Sequence, residues 1–410
     1  MPFPFPAVPA RVRSGGGRLV RRLGLLPGGE PDGLGEDARL TGASLEQRVV
    51  VFFPEPLRNG YQLEQWLPVL EALHARHGVA VVTQDSRATA WLRGRTALPV
   101  LCVARTATLD GIVQRSDVAL ALYVSHHPRN FQMLRFSTLG HVYIGHGESD
   151  KAVSASNQLK AYDRVFVAGG AAEERVLTEL LWFDRSRLVR VGRPQAAAPA
   201  PRPVPAVPTV LYAPTWEGAQ PSMAYSSVLT HGSTLVTSLV AAGMRVVYRP
   251  HPRTGANRRD VAAADAALRR LLDAPDAQRT GSRTDPDQPL HGAFADADVL
   301  VTDVSSVALE WLPTGRPLVV TAPADPAAVV APSPLLDAVP RLTSSAAGAA
   351  GTVVRRCLDD DREAPARAAL VEHYLGGSDP AAALDHFLEA CDDVITARDD
   401  VRSAVRGAGR

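Results

Sequence analysis

Cysteine is scarce in this chain: three residues in 410, Cys102, Cys357 and Cys391, odd in number and without metal-ligand spacing. That excludes a disulfide framework and a cysteine-held structural zinc, and it fits a reducing compartment. Long apolar runs are missing too, since no stretch reaches the roughly 18 residues a membrane-spanning helix needs. Charge of one sign is also lacking. The formal net charge is +1, so nothing global marks a nucleic-acid partner. Neither Cys-x-x-Cys nor His-x-x-x-His occurs, so no metal and no cofactor are expected. Lysine is nearly absent, with only Lys151 and Lys160 among 44 basic residues. A lysine retained under such an arginine bias marks a position suited to a compact ammonium, which singles out Lys151; an ordinary surface lysine is the bland alternative.

What is present is ample apolar material, 46% of the residues, in a chain long enough for two domains. Residues 1–45, rich in Gly, Pro and Arg and without periodicity, are expected to be disordered. The opening Met1-Pro2-Phe3-Pro4-Phe5-Pro6 does not read as a signal peptide, because prolines interrupt the apolar stretch. Arg11, Arg13, Arg18, Arg21 and Arg22 make this segment basic, which fits a solvated tail or one touching an anionic membrane surface. The expected location is cytoplasmic, with peripheral contact to the inner face of the plasma membrane as an option.

From Arg48 onward, short apolar runs at 49–53, 79–83, 100–103, 118–124, 142–144, 165–167 and 188–191 alternate with helix-like stretches such as 63–76 and 171–181. Continuous rather than alternating apolarity means that both faces of a sheet are covered, as in parallel α/β architecture. Residues 46–194 therefore form one α/β lobe. Prolines crowd 195–208, fix φ and delete donors, and make this segment a linker. A second α/β lobe, 209–398, carries strands near 210–212, 245–248, 299–302 and 317–321. It includes a last helix, 380–398, expected to cross the lobe junction, and 399–410 are read as a tail. The fold class is α/β, two Rossmann-like doubly wound lobes facing a central cleft.

Polar clusters follow several of these strands: His146-Gly147 with Glu148-Ser149-Asp150-Lys151, Pro214-Thr215-Trp216-Glu217, Arg249-Pro250-His251-Pro252, and Thr302-Asp303-Val304-Ser305-Ser306. Ligands of open parallel sheets bind beyond the carboxyl ends of the strands, so the four can face one cleft. A polar loop entering a helix from about Val307 to Leu312 directs hydroxyls and backbone N–H groups at a phosphate, although a lone serine there is more often only an N-cap.

Taken in order, the set resembles the CDP-glycerol glycerophosphotransferases, which build or prime teichoic-acid-like polymers. The resemblance rests on Ile144-Gly145-His146-Gly147, Gly192-Arg193-Pro194, Leu211-Tyr212-Ala213-Pro214-Thr215-Trp216, Arg249-Pro250-His251-Pro252 and Thr302-Asp303-Val304-Ser305-Ser306. It covers about Val118 to Asp385. Familiar members follow His-Gly with Thr-Pro-Leu-Lys, where this chain has Glu148-Ser149-Asp150-Lys151.

The resemblance implies a GT-B-like arrangement and a reaction in which an acceptor hydroxyl attacks the β-phosphorus of CDP-glycerol, or a similar CDP-alditol, and expels CMP. On that reading His146 is the base, and His251 between its prolines assists at the diphosphate with Arg249. Thr302, Asp303, Ser305 and Ser306 serve the donor, with Asp303 holding the loop, accepting from hydroxyls or orienting a histidine. Glu310 reaches the ribose or glycerol end, and Thr215 and Trp216 line the nucleotide side. Gly147, Lys151 and Asn130, the last with His126 and His127, stand on the side of a lipid-linked or polymer acceptor. Two rival readings share the fold: a glycosyltransferase or epimerase using a UDP-sugar, and a non-catalytic nucleotide-binding scaffold.

Overall fold

The computed structural model describes residues 32–147, 156–196, 202–288, 290–330 and 332–408. The first sheet has seven strands: β1 (Val49–Phe53), β2 (Val79–Thr83), β3 (Val100–Cys102), β4 (Leu120–Tyr123), β5 (Gly140–Tyr143), β6 (Arg164–Val167) and β7 (Leu188–Arg190). They lie in the order β3-β2-β1-β4-β5-β6-β7, all parallel. The second has six: β8 (Thr209–Ala213), β9 (Arg245–Tyr248), β10 (Arg283–Thr284), β11 (Val299–Thr302), β12 (Leu318–Thr321) and β13 (Arg341–Leu342). Their order, β10-β9-β8-β11-β12-β13, repeats the first, again all parallel. In each sheet the first and fourth strands are neighbours, so each has a switch point where the crossovers reverse direction.

Alternation along each strand feeds two cores, one per face. Val49, Val51 and Phe53 of β1 pack on one side of the sheet, Val50 and Phe52 on the other. Likewise Val210 and Tyr212 of β8 face one cluster, Leu211 and Ala213 the opposite one. This two-sided burial is why the strands read as unbroken apolar runs.

Five helices position the site: α1 (Leu67–His77), α2 (Gly170–Glu179), α3 (Ser306–Trp311), α4 (Ala364–Leu375) and α5 (Pro380–Ala408). Helix α4 packs on α2 of the first lobe, so close that a Cβ on Gly169 would stand 2.6 Å from the carbonyl oxygen of His373. Helix α5 then returns to the first lobe, where Phe387, Leu388, Ala390, Cys391 and Ile395 join the core formed with β1 and α1. The two lobes are thereby tied by buried apolar surface as well as by the linker.

Three expectations need adjusting. Order begins before Arg48: a helical turn at Glu36–Arg39 docks on β3, with Glu36 Oε2 accepting from Cys102 N at 2.9 Å and Asp37 Oδ1 from Arg105 N at 3.2 Å. Composition hid this, because the turn is held by two buried acids rather than by an apolar stripe. Helix α5 runs on to Ala408, through most of the supposed tail. The edge strands β10 and β13 have two residues each, too few to register as apolar runs. Residues 1–31, including the basic arginines, lie outside the described residues.

Candidate active site

Beyond β5, Gly145 takes φ +65°, a backbone conformation suited to glycine, and swings the chain towards the second lobe. The turn is gripped from the first lobe: Trp66 Nε1 donates to the Gly145 carbonyl at 2.7 Å, and Gln65 Nε2 donates to that of His146. The His146 ring lies with Nδ1 2.9 Å from the carbonyl oxygen of Val124, just past β4. A carbonyl only accepts, so Nδ1 carries the proton in the neutral ring and Nε2 keeps its lone pair. Burial lowers the His146 pKa, with Arg193 adding to the shift and the Val124 bond and Glu55 opposing it. The residue is thus a neutral imidazole with a basic nitrogen at neutral pH.

Next to it the lobes meet. A Cβ on Gly147 would stand 3.6 Å from Glu310 Oε1 and 3.7 Å from Ser306 Cβ, both on α3 of the second lobe. Arg193, in the turn after β7, reinforces the junction. Its guanidinium is nearly buried, donates to Gln65 Oε1 at 2.9 Å and lies 3.5 Å from Glu310 Oε1. Arg249, after β9, is close enough for Glu310 and Asp285 to oppose the lowering of its pKa by burial, and its Nε donates to Gln288 O at 3.3 Å. Glu310 thus stands between an arginine from each lobe.

The loop after β11 is built around Asp303. Its carboxylate is fully buried and accepts from the backbone N–H of Thr215 at 2.7 Å, from that of Ser227 at 3.2 Å and from the Thr321 hydroxyl. Desolvation outweighs these bonds and pushes its pKa up to about 6. Of the roles open to Asp303, the structure gives it loop-holding. Thr302 is also interior, its hydroxyl donating to Ala213 O at 2.7 Å and standing 3.3 Å from Ser305 Oγ. Direct donor contact by Thr302 and Asp303 is therefore corrected to support from beneath. Ser305 and Ser306 stay at the surface of the loop, and Ser305 makes no side-chain capping bond to α3.

The loops after β8 and β9 pack in layers. His251 lies against Trp216 with ring centroids 6.4 Å apart, and the Arg253 guanidinium sits 3.7 Å from the Trp216 ring centre. His251 Nδ1 accepts from Arg253 N at 3.0 Å, which leaves the proton of the neutral ring on Nε2. The Glu217 carboxylate is buried and accepts from Gly255 N at 2.9 Å and Asn257 N at 2.8 Å, fixing the loop that presents Arg253. Thr215 is buried beside Asp303.

One acceptor-side assignment changes. Asn130 is 1% exposed, and its Nδ2 donates to Ser125 O at 2.8 Å and to Tyr162 Oη at 3.0 Å. It braces the loop after β4 and does not face the cleft. Lys151, with Glu148, Ser149 and Asp150, lies outside the described residues. Motif reading missed Glu55, which follows β1 in Pro54-Glu55-Pro56; the same signal that found the other clusters, a polar residue just past a strand end, was available there. Among the described residues no three His, Cys, Asp or Glu side chains form a metal-holding group, and no helix is long and apolar enough to cross a membrane.

Two doubly wound parallel lobes with polar groups at facing strand ends define the GT-B type of transferase fold. Residues 202–325 match the model of the family described as CDP-glycerol:poly(glycerophosphate) glycerophosphotransferase. The family resemblance therefore holds over the core of the second lobe, which carries the Thr215–Trp216, Arg249–His251 and Thr302–Ser306 motifs. Among solved structures, the wall teichoic acid polymerase TagF matches with TM-score 0.56 and 12% identity, over 95% of this chain and 97% of that one. TagF soaked with CDPG matches with TM-score 0.55 and 11% identity, over 95% and 99%. Anabaena HepE in complex with UDP-glucose matches with TM-score 0.53 and 10% identity, over 84% and 99%. No curated protein matches the sequence.

Proposed function

We propose that this chain is a glycerophosphotransferase that moves a glycerol-phosphate or related alditol-phosphate unit from a CDP-activated donor to an acceptor hydroxyl, in the synthesis of a teichoic-acid-like polymer. Nε2 of His146 takes the proton of the acceptor hydroxyl. The acceptor oxygen forms a bond to the β-phosphorus as the bridging P–O bond to CMP breaks, and CMP leaves with the electron pair. Arg249, His251 and Arg253 bring positive charge and N–H donors to the diphosphate, where stabilisation of developing charge counts most. The Ser305 and Ser306 hydroxyls serve the donor phosphate, Trp216 the nucleotide side, and Glu310 the glycerol or ribose hydroxyls.

The observation that supports this reading is the approach of Gly147, next in the chain to the proposed base, to Ser306 and Glu310 of the other lobe. The basic N-terminal arginines and a lipid-linked acceptor favour action at the cytoplasmic face of a membrane, by peripheral contact. The test is incubation of the full chain with CDP-glycerol, CDP-ribitol and UDP-glucose, each with and without a poly(glycerophosphate) acceptor. Acceptor-dependent release of CMP supports the reading. Release of UDP with no CMP replaces it by the sugar-transfer reading, and nucleotide binding without turnover by the scaffold reading.

A further inference from the structure

The chain leaves the first sheet through Val191-Gly192-Arg193-Pro194, and this exit is fixed from both lobes. Val191 N donates to Val167 O at 2.9 Å, which extends the pairing of β7 with β6. Gly192, at φ +76°, lies against the returning helices: a Cβ there would stand 2.7 Å from Ala383 Cβ of α5 and 3.6 Å from the Leu375 carbonyl oxygen of α4. No side chain fits, and the close approach sets the direction in which Arg193 leaves the turn. The Arg193 carbonyl accepts from Ala196 N at 2.9 Å and closes it. The Arg193 side chain, 6% exposed, has a partner in each lobe: Nη2 donates to Gln65 Oε1 at 2.9 Å and lies 3.5 Å from Glu310 Oε1 on α3. Gln65 faces the other way with Nε2, which donates to the His146 carbonyl. A guanidinium only donates and a carbonyl only accepts, so one orientation of the amide serves both. The polar path Glu310–Arg193–Gln65–His146 thus runs unbroken from the helix beside the donor loop to the backbone of the proposed base.

We propose that Arg193 is a positioning residue for the transfer: acting through Gln65, it keeps the turn that carries His146 in register with Glu310 and the donor-side loop. The inference rests on the transferase reading above and adds to it a residue that acts without touching substrate. A buried cation is costly to strand, so Arg193 stays with Glu310, and Gln65 follows Arg193. The seam between the lobes therefore sets where the imidazole stands. Trp66 holds the Gly145 carbonyl from the first-lobe core alone, whereas the Gln65 bond to the next carbonyl answers to the second lobe. The same guanidinium bears on the charge of the ring. Together with burial it lowers the His146 pKa, while the Val124 carbonyl and Glu55, after β1, oppose it. His126, after β4, is a further titratable neighbour of this ring.

The test compares the full chain with Arg193→Met, Arg193→Lys, Gln65→Glu and the double variant Arg193→Met/Gln65→Glu. The first removes the cation, the second keeps it, and the third keeps an acceptor for Arg193 but has no N–H for the His146 carbonyl. Arg193→Met and Gln65→Glu are each expected to lower kcat for CMP release from CDP-glycerol roughly 10- to 100-fold, the loss for a reacting group misplaced by about an ångström. CDP-glycerol affinity is expected to stay within about threefold, because the donor-side residues are untouched. The double variant is expected to lose no more than either single one, since both break the same path. Arg193→Lys is expected to recover most of the loss. The acid limb of kcat/KM is expected to move to higher pH in Arg193→Met, where imidazolium forms more readily, and to stay in place in Arg193→Lys. Wild-type kcat in Arg193→Met or Gln65→Glu, losses that add in the double variant, or a fall in CDP-glycerol affinity matching the fall in kcat overturns the proposal. If circular dichroism shows Arg193→Met unfolded, Gln65→Glu alone decides. Amide hydrogen exchange at Gly147, measured without ligand, keeps this proposal apart from the transferase reading and is expected to quicken about tenfold in both single variants. If the wild type releases no CMP while that quickening is seen, the transferase reading fails and Arg193 remains the residue that positions His146. Unchanged exchange overturns the proposal whatever the turnover.

Discussion

Nδ1 of His146 stands 2.9 Å from the carbonyl oxygen of Val124. This bond fixes the tautomer of the ring, and with it which nitrogen can accept a proton. His146→Ala is therefore expected to lower turnover by roughly 100- to 10,000-fold, the usual loss of acid–base help, with CDP-glycerol affinity nearly unchanged. Single-turnover rates and calorimetric titration check both halves. An active variant would remove His146 from the mechanism.

The same residue sets a pH profile. Burial lowers its pKa below that of an ordinary histidine, so the basic form persists to lower pH. The acid limb of kcat/KM is expected to fall below about 6.5, the unperturbed histidine value. A midpoint at or above that value would show an imidazole more exposed or more closely paired with a carboxylate than the one described.

Asp303 carries a second pH signature, in stability. Its folded pKa of about 6 exceeds the unfolded value of about 3.9, so between those values the native state holds more protons than the unfolded chain. Its contribution to stability therefore declines as pH rises from about 4 to about 6 and stays low above that. Asp303→Asn removes this dependence but turns an amide towards the N–H groups of Thr215 and Ser227. The variant is expected to melt with a flatter slope between pH 4 and 6 and to bind donor more weakly because the Thr215–Trp216 loop loosens. Parallel slopes in wild type and variant would contradict the assignment.

Ser305 and Ser306 remain at the loop surface, whereas Thr302 and Asp303 lie under it. Changing both serines to alanine is expected to weaken CDP-glycerol binding by roughly tenfold, about the value of one or two neutral hydrogen bonds, and to leave cytidine binding unaltered. Equal losses for the two ligands would move the loop to the base or ribose.

Strand ends were legible because parallel sheets covered on both faces write themselves as unbroken apolar runs, and the polar residues just after them stand out. His146, Arg249, His251, Ser305 and Ser306 stand out in that way. Asn130 carried the same mark yet is interior, since a side-chain amide bracing a loop has the same composition as one facing a ligand. Thr302 and Asp303 were drawn in by their neighbours, and only burial separates the support from the surface it holds up. Glu55, just past β1 in Pro54-Glu55-Pro56, carries the same mark, but its partner Ser125 comes from a segment distant in the chain. The β-ladder pairs Val51 of β1 with Leu122 of β4, 71 positions further along the chain, and that pairing brings Glu55 beside Ser125.

Phe387 links the architecture to the chemistry. Fully buried on α5, its ring lies 5.3 Å from that of Trp66 and 5.9 Å from that of Phe166. Trp66 in turn holds the Gly145 carbonyl, one residue before the proposed base. Phe387→Ala is expected to cost about 3–5 kcal/mol of stability, the range for deleting a buried aromatic ring. At temperatures where the variant is still folded, turnover is expected to fall while CDP-glycerol affinity holds, because the ring packs in the first-lobe core and supports the first-lobe turn. Denaturant melts and donor titration measure the two effects separately. A destabilised variant with wild-type turnover would show that the Trp66–Gly145 bond survives without this packing.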